Sequence, residues 1–248
     1  MVSKFDKQTN PNVSVDCVIF GFDGDSLKVL LLRRSGRDNL DIDDDTMVLP
    51  GDLILDNEDL DEAASRVLQQ LTGISYSFLE QIGAFGGPDR LTKELDQQWL
   101  RAIRLNPGAR VITVGYFALL NINNYNLKPS GFAKYADWQD IDNIGELGFD
   151  HNDIVNKAID VLRNKLYREP IGFELLPEEF SLHQLYNLYK VILNAELDRR
   201  NFRRKMLKTG FIQETENYQK GVPHKPARLY RFVKEEFNNS TTKKFKFY

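Results

Sequence analysis

The stretch GDLILDNEDLDEAASRVLQQLTGI, residues 51 to 74, contains the clearest structural signals in the first half of this chain. Asp59, followed three residues later by Glu62, has the spacing of a capping box, in which two side chains satisfy the free backbone N–H groups at a helix start. Gly73 suits the left-handed conformation that ends many helices. The stretch therefore predicts a helix over residues 60 to 72, with Met47 to Leu49 leading into the stretch.

This stretch resembles the Nudix box of diphosphate hydrolases, whose pattern is Gly, five residues, Glu, seven residues, then Arg-Glu-apolar-any-Glu-Glu-any-Gly-apolar. The positions that keep the pattern are Glu58, Arg66, Leu68, Gly73 and Ile74. The positions that depart from it are Asp52 in place of the first glycine, and Val67, Gln70 and Leu71 in place of the three helix glutamates.

Residues 67, 70 and 71 have the spacing of one helix face. In Nudix enzymes the resemblance places Mg²⁺ there, a cation that requires several anionic oxygens. Since Val67, Gln70 and Leu71 offer one neutral amide oxygen, we expect no catalytic residue, no metal, no cofactor and no hydrolase activity. Glu58 and Asp52 could still hold a cation, but structural roles are favoured, and Arg66 is expected to pair with Glu58 or Glu62.

The composition indicates a cytoplasmic protein without a structural metal. Cys17 is the only cysteine, which excludes an internal disulfide, and the three histidines lack zinc-ligand spacing. The amino-terminal residues are polar. The longest apolar run, Val111 to Leu120, is half of the roughly 20 residues that a membrane helix needs. We therefore expect no membrane partner.

The net charge of −3 conceals an asymmetry along the chain. Residues 1 to 179 carry 18 basic and 30 acidic side chains, whereas residues 180 to 234 carry 12 basic and 4 acidic ones. A basic module joined to an acidic one suggests that the basic module meets a polyanion. A solvated basic face explains the charge equally well.

The pattern of apolar residues predicts a first domain with a sheet and two helices. A hairpin is expected from Val15 to Phe22 and from Lys28 to Arg34, with further strands at Tyr76 to Phe85 and Arg110 to Leu120. An amphipathic helix over residues 149 to 166 closes this domain. Glu169-Pro170-Ile171-Gly172 interrupts the pattern, so we place a domain boundary between residues 168 and 169.

The residues after this boundary have the order of a winged helix-turn-helix. Ser181 caps a helix that runs to Asn194, and Asp198 caps a second helix, Arg199 to Leu207, which ends at Thr209-Gly210. Two strands, Phe211 to Thr215 and Arg228 to Val233, follow around a polar loop. We expect this module to span residues 169 to 237 and a polar tail to span residues 238 to 248.

The second helix of this module divides into an apolar and a basic side. Phe202, Met206 and Leu207 are expected to pack inward. Arginine and asparagine can recognise guanine and adenine edges, while neighbouring cations hold phosphates. The predicted DNA-binding residues are Arg199, Arg200, Asn201, Arg203, Arg204, Lys220, Lys225 and Arg228, and Lys205 and His224 lie among them. The alternative is a basic helix that packs against the acidic half.

Four stretches together resemble the Nudix-related transcriptional regulators. They are FGGPDR with GARVITVGYFAL (85 to 90 and 108 to 119), WQDIDNIGELGFDHNDIVNKAIDVLRNKL (138 to 166), EPIGFELLPEEFSLHQLYNLYKVILNAELDRRNFRRKML (169 to 207) and PARLYRF (226 to 232). The resemblance implies an α+β chain: a Nudix fold, an α/β/α sandwich with a mixed sheet, followed by a winged helix-turn-helix domain. It also implies a homodimer on palindromic double-stranded operator DNA, controlled by a small molecule.

Branches of that family differ in effector, and one segment bears on the choice. ADP-ribose-type members have a short turn where this chain inserts LTKELDQQWLRAIRLNP, residues 91 to 107. Trp99 beside Asp96, Gln97 and Gln98 suits a neutral polyol, although the insert could instead be a helix at a dimer interface. The effector-binding candidates are Phe22, Asp52, Phe85, Asp89, Trp99, Tyr116 and His151, the last of which could instead cap a helix.

The sequence therefore predicts a ligand-responsive repressor of sugar utilisation genes, similar to the L-arabinose branch of the family in Bacteroidetes. Two alternatives remain open. One is an ADP-ribose-responsive regulator of NAD metabolism. The other is a Nudix hydrolase whose basic domain serves RNA or nucleotide substrates.

Overall fold

The computed structural model describes residues 9–34, 45–76, 78–223 and 225–239. They form two compact units, and the chain passes from one to the other between Ala158 and Ile159. The segments Gly21–Leu27 and Leu119–Ile122 group with the second unit. Within the described ranges, no helix combines the length and apolar character needed to span a membrane.

A seven-stranded mixed sheet forms the centre of the first unit. Its strands are β1 (Thr9–Phe22), β2 (Leu27–Arg34), β3 (Met47–Val48), β4 (Gly51–Leu55), β5 (Glu80–Phe85), β6 (Ile112–Leu120) and β7 (Ala133–Asp140). The main order is β3, β2, β1, β6, β5, with β4 paired to β1 and β7 paired to β2. The predicted pairing of β1 with β2 is confirmed, and β6 lies between β1 and β5. Cys17 is fully buried in β1.

The helix predicted from the opening stretch is α1 (Leu60–Thr72). The Asp59 carboxylate accepts hydrogen bonds from the backbone N–H groups of Asp61 and Glu62, and the Glu62 side chain accepts from the Asp59 N–H. Gly73 ends the helix with φ of 77°. Both caps are therefore confirmed, because the local chemistry of a helix end depends on neighbours within a few residues.

Two further helices complete the first part of the chain. The insert forms α2 (Glu94–Ile103), whose residues Trp99, Leu100 and Ile103 are buried. The predicted closing helix is α3 (His151–Leu166), with Ile154, Val155, Ala158, Leu162 and Leu166 buried along one stripe. A 3-10 helix, Pro170–Leu175, follows α3. We retain the proposed domain boundary between residues 168 and 169, which lie between the end of α3 at Leu166 and the start of the 3-10 helix at Pro170.

The second unit contains a helical pair and a three-stranded sheet. Its elements are β8 (Phe180–Ser181), α4 (Leu182–Leu193), α5 (Arg199–Thr209), β9 (Ile212–Tyr218), β10 (Arg228–Phe232) and α6 (Lys234–Asn239). The sheet order is β8, β10, β9. Ser181 and Gln184 form a capping box on α4, and Asp198 caps α5. The order helix, turn, helix and hairpin agrees with the sequence prediction.

Several details differ from the sequence prediction, and strand β7 was not predicted. Leu207 is 39% exposed, so it does not pack inward with Phe202 and Met206. The helix α6 extends beyond the expected start of the tail because Phe237 buries its ring against Phe211 and Phe232. Strand β5 begins four residues later than expected, at Glu80. Residues 240 to 248 and most of the acidic run at 41 to 45 lie outside the described residues.

Candidate functional site

A narrow cavity of about 30 Å³ lies in the first unit. Charged, polar and aromatic side chains share its wall. The lining residues are Ser14, Asp16, Val48, Leu49, Gly51, Asp52, Arg90, Leu91, Trp99, Arg104, Phe132, Phe149 and His151. A concave site with aromatic walls and a few convergent polar groups is the usual form of a small-molecule site.

The polar part of the wall is a buried network around Asp16. Arg90 Nη2 lies 3.3 Å from one Asp16 oxygen, and the same guanidinium donates two hydrogen bonds of 3.0 Å to Asp150. His151 Nε2 lies 3.4 Å from the other Asp16 oxygen. Because His151 Nδ1 accepts the Leu49 N–H at 2.9 Å, Nε2 is the nitrogen that carries the proton towards Asp16.

This network keeps Asp16 ionised. Burial by itself would raise the pKa of Asp16, but His151 and Arg90 together lower it below its usual range. The hydrogen bonds to Asp150 and the charge of Asp16 outweigh burial at Arg90 and raise the pKa of its guanidinium. The network thus places one guanidinium between two carboxylates. Gly51 permits the packing, since a Cβ there would overlap the Asp16 carboxylate.

The aromatic part of the wall depends on the insert. The Trp99 ring of α2 meets the rings of Phe132 and Phe149 edge to face, at centroid distances of 5.1 and 6.0 Å. Asp96, one turn earlier, makes a buried ion pair of 2.6 Å with Arg34, and its other oxygen accepts the Phe149 N–H at 2.7 Å. The insert is therefore fastened to the sheet by a buried charge pair and supplies part of the cavity wall.

The Phe149 backbone is held in an unfavourable conformation at this point. Its φ of 57° is left-handed, which a bulky residue rarely adopts. The hydrogen bond to Asp96 fixes that backbone, and the Arg34 guanidinium lies 5.4 Å from the Phe149 ring centroid. Backbone strain of this kind collects at ligand sites, where the surrounding structure enforces it.

The altered box does not form a metal site in the structure. Val67 and Leu71 are buried among apolar side chains, and Gln70 accepts a hydrogen bond from Arg66. Arg66 also binds both oxygens of Glu58, at 2.7 and 2.5 Å, which confirms the expected pairing. Across the described ranges, no group of three or more His, Cys, Asp or Glu side chains could hold a metal ion.

The structure brings together three of the seven effector-binding candidates. Asp52, Trp99 and His151 line the cavity. Four others lie outside its lining. Phe22 is buried at the end of β1, Phe85 lies on edge strand β5, Asp89 is exposed, and the Tyr116 hydroxyl donates to Asp61 at 2.6 Å.

Sequence reasoning missed Asp16, Arg90, Phe132 and Phe149. A usable signal existed for Asp16, because it is a charged residue within the apolar run VSVDCVIF, and buried carboxylates need partners. Its partners Arg90 and His151 are 74 and 135 positions away in the sequence. Only the folded chain brings these groups together.

The second candidate site is the outer face of α5. The Asp198 carboxylate accepts the Asn201 N–H at 2.6 Å, and Phe202 and Met206 are buried beneath the helix. The side chains left on the surface are Arg199, Arg200, Arg203 and Arg204, with Asn201 and Lys205 half-buried. Arg204 also donates to the Asn201 side chain at 2.9 Å. This face presents cations and an amide, the kinds of group that contact phosphates and base edges in protein–DNA complexes.

The hairpin beside α5 carries the remaining candidates. Lys220 and Lys225 are exposed in the loop between β9 and β10, while His224 lies outside the described residues. Arg228 differs from these lysines because its guanidinium is already hydrogen-bonded. It donates to Glu214 at 2.7 Å and to the Tyr218 hydroxyl at 2.6 Å. The hairpin thus contains two exposed cations and one that is held by its neighbours.

Comparisons with known proteins agree with this division. Residues 172–232 match the NrtR DNA-binding winged helix domain. The chain is 30% identical over 233 residues to the ADPR responsive transcriptional repressor NtrR of Acinetobacter baylyi, covering 92% of this chain and 85% of the relative. It is 26% identical over 154 residues to an ADP-ribose pyrophosphatase of Methanocaldococcus jannaschii, covering 62% and 76% of the two chains.

One solved structure has the same fold along nearly the whole chain. The crystal structure of Shewanella oneidensis NrtR complexed with a 27mer DNA matches with a TM-score of 0.67 and 23% identity, covering 94% of this chain and 99% of that chain. The predicted fold class, a Nudix domain with a mixed sheet followed by a winged helix domain, is confirmed.

Proposed function

The chain belongs to the NrtR-type family of Nudix-related winged helix regulators, and we propose that it is a ligand-responsive repressor that binds double-stranded DNA through α5. The observation that carries the proposal is the exposed row of arginines on a helix whose opposite side is buried. Such a face meets the demands of a DNA groove, where cations hold phosphates and planar donors contact bases.

Two copies of the chain are expected to act together. A single recognition helix contacts only a few base pairs, so regulators of this architecture reach specificity by placing two helices on half-sites about one helical turn apart. We therefore propose a homodimer on a palindromic operator, acting in the cytoplasm.

ADP-ribose is the effector that the comparisons favour. The Acinetobacter relative is ADPR responsive, and the Methanocaldococcus relative is an ADP-ribose pyrophosphatase. The comparisons do not support the sequence-based expectation of L-arabinose. We therefore propose ADP-ribose, the alternative from the sequence, as the first effector to test.

A small neutral sugar remains a second candidate because of one feature of the cavity. One of its two lining cations, Arg90, is already paired with Asp16 and Asp150, which reduces the positive charge available to a diphosphate. Trp99 of the insert lines the cavity and contributes an aromatic face to its wall. Hydroxyl partners beside an aromatic face are suited to a pentose such as L-arabinose.

We also propose that the chain does not hydrolyse its ligand. Metal ions contribute several kcal/mol of transition-state stabilisation to phosphate chemistry, and Val67 and Leu71 cannot bind one. The test is Mg²⁺-dependent release of AMP from ADP-ribose. Turnover at about 1 s⁻¹ or faster, a typical enzyme rate, would contradict the proposal.

The effector test begins with an operator selected by the purified chain from a pool of randomised duplexes. Fluorescence anisotropy then follows the release of labelled operator as ADP-ribose, L-arabinose, D-xylose or D-ribose is added. A coupling of about 1 to 3 kcal/mol lowers DNA affinity roughly 5- to 150-fold. ADP-ribose alone should cause release if the first proposal is right, and a response to a pentose alone would favour the second. Failure to select any duplex would overturn the regulator function.

A matched pair of variants tests whether this cavity is the effector site. Leu91 lines the cavity and is half-buried, so Leu91→Trp should fill its opening and abolish the response while operator binding persists. Leu95 is on the same insert, 57% exposed, and outside the lining, so Leu95→Trp is the control. An unchanged response in Leu91→Trp would place the effector elsewhere.

A further inference from the structure

Glu214 of β9 makes contacts that the DNA-binding function does not by itself require. One of its oxygens accepts a hydrogen bond of 2.7 Å from Arg228, and the other accepts one of 3.0 Å from the Tyr230 hydroxyl. The second Arg228 nitrogen donates to the Tyr218 hydroxyl at 2.6 Å, and the guanidinium lies 5.3 Å from the centroid of that ring. A carboxylate and a phenol thus hold Arg228 against the hairpin.

The position of this carboxylate is unusual within the basic module. Only 4 acidic residues occur between residues 180 and 234. Glu196 pairs with Lys190, Asp198 caps α5, and Glu216 makes no ion pair in the part of the chain that the structure describes. Glu214 is the acidic residue placed among the candidate DNA-binding cations.

Electrostatics connects Glu214 to both DNA-binding elements. Hydrogen bonds from Arg228 and Tyr230 lower the pKa of Glu214, and the charge of Arg203 on α5 lowers it further. Glu214 therefore carries its negative charge at ordinary pH, within the field of the recognition helix and of the hairpin. A DNA phosphate that approaches Arg228 has to compete with this carboxylate.

We propose that Glu214 is a positioning residue that reduces the binding of Arg228 to the phosphates of random DNA. It thereby increases the ratio of operator affinity to random-DNA affinity. The inference rests on the DNA-binding function proposed above. Phosphate contacts supply nearly all non-specific affinity and are counted by the salt dependence of binding. A carboxylate that neutralises one cation removes one such contact from random DNA. On the operator, the contacts of α5 with base edges can still hold the protein in register.

The pair has little structural importance, which makes the proposal testable. The side chains of Glu214 and Arg228 are 53% and 43% exposed, and exposed ion pairs contribute little to folding. Glu214→Gln removes the charge but keeps an amide oxygen for Arg228 or Tyr230. Glu216→Gln, two residues along the same exposed strand, removes the same formal charge and serves as the control.

The experiment measures binding of each full-length variant to a random duplex and to the operator selected by the wild-type chain, by anisotropy at several salt concentrations. In Glu214→Gln, random-duplex affinity should rise severalfold, with a salt slope steeper by about 0.9, the value for one additional phosphate. Between about 50 and 200 mM salt, its affinity should then fall about 3.5-fold more than that of wild type. Operator affinity should rise less, so that specificity falls.

A double variant tests whether the gain in affinity comes from Arg228. In an Arg228→Gln background, Glu214→Gln should produce no further gain, because there is no held cation to release. Equal effects of Glu214→Gln and Glu216→Gln, or an unchanged salt slope, would overturn this inference and leave the regulator function intact. Failure of the wild-type chain to bind any duplex would overturn the proposed function and this inference together.

Discussion

The two units of this chain differ in the burial of their charged side chains. In the first unit, Asp16, Arg90, Arg34 and Asp96 are buried, and each faces a partner of opposite charge. In the second, the arginines of α5 are exposed on one side of a helix. Buried pairs define a rigid site for one ligand, because neither member can leave without a large penalty. Exposed cations remain free to meet a polyanion.

The largest effect should follow from breaking a buried pair. Asp96→Ala leaves the Arg34 guanidinium buried without its carboxylate partner, and such changes cost about 3 to 5 kcal/mol of unfolding free energy. Urea denaturation measures the loss. Glu169→Ala, which removes a carboxylate from the exposed pair with Lys165, should cost at most about 1 kcal/mol. Similar losses in both variants would break the contrast between the units.

An intermediate effect is expected at the base-recognising residues of α5. Asn201→Ala or Arg203→Ala should weaken binding to the selected operator by about 1 to 3 kcal/mol if the side chain makes a bidentate base contact. Binding to random duplexes should change much less for Asn201→Ala, because an amide holds no net charge. Anisotropy on both duplexes gives the ratio. Equal losses on the two duplexes would show that α5 is not the recognition helix.

The smallest effect is expected at Lys225 in the hairpin loop. Lys225→Ala should weaken operator and random duplex alike and make the salt slope shallower by about 0.9, since one phosphate contact is lost. Folding should be unaffected because the side chain is exposed. A loss confined to the operator would instead mean that Lys225 contributes to sequence recognition and would blur its distinction from α5.

The sequence predicted α1, α4 and α5 closely because the ends of these helices depend on local chemistry. Asp59 with Glu62 and Ser181 with Gln184 form capping boxes, and Asp198 caps α5. The exposed positions of α5 also followed from helical spacing. Strand β7, with the mixed sequence AKYADWQD, was missed because its pairing with β2 depends on residues about a hundred positions away.

The cavity could be predicted only in part. Trp99 was predicted as an aromatic residue of the insert, and His151 was predicted as a titratable residue at a helix start. Both line the cavity. Tyr116 was an equally reasonable candidate, but its hydroxyl is turned towards Asp61 of α1. The side of the sheet that a strand residue faces depends on register, which tertiary pairing decides.

The sequence alone determined where α1, α4 and α5 form, the loss of the metal-binding carboxylates at Val67, Gln70 and Leu71, and the charge contrast between the two halves. These properties depend on residue identity and short-range spacing. The tertiary structure alone decided that Asp16, Arg90 and Asp150 form one network, that Asp96 fastens the insert to Arg34, and that Glu214 pairs with Arg228. These contacts depend on how distant segments pack, and sequence spacing carries no record of that geometry.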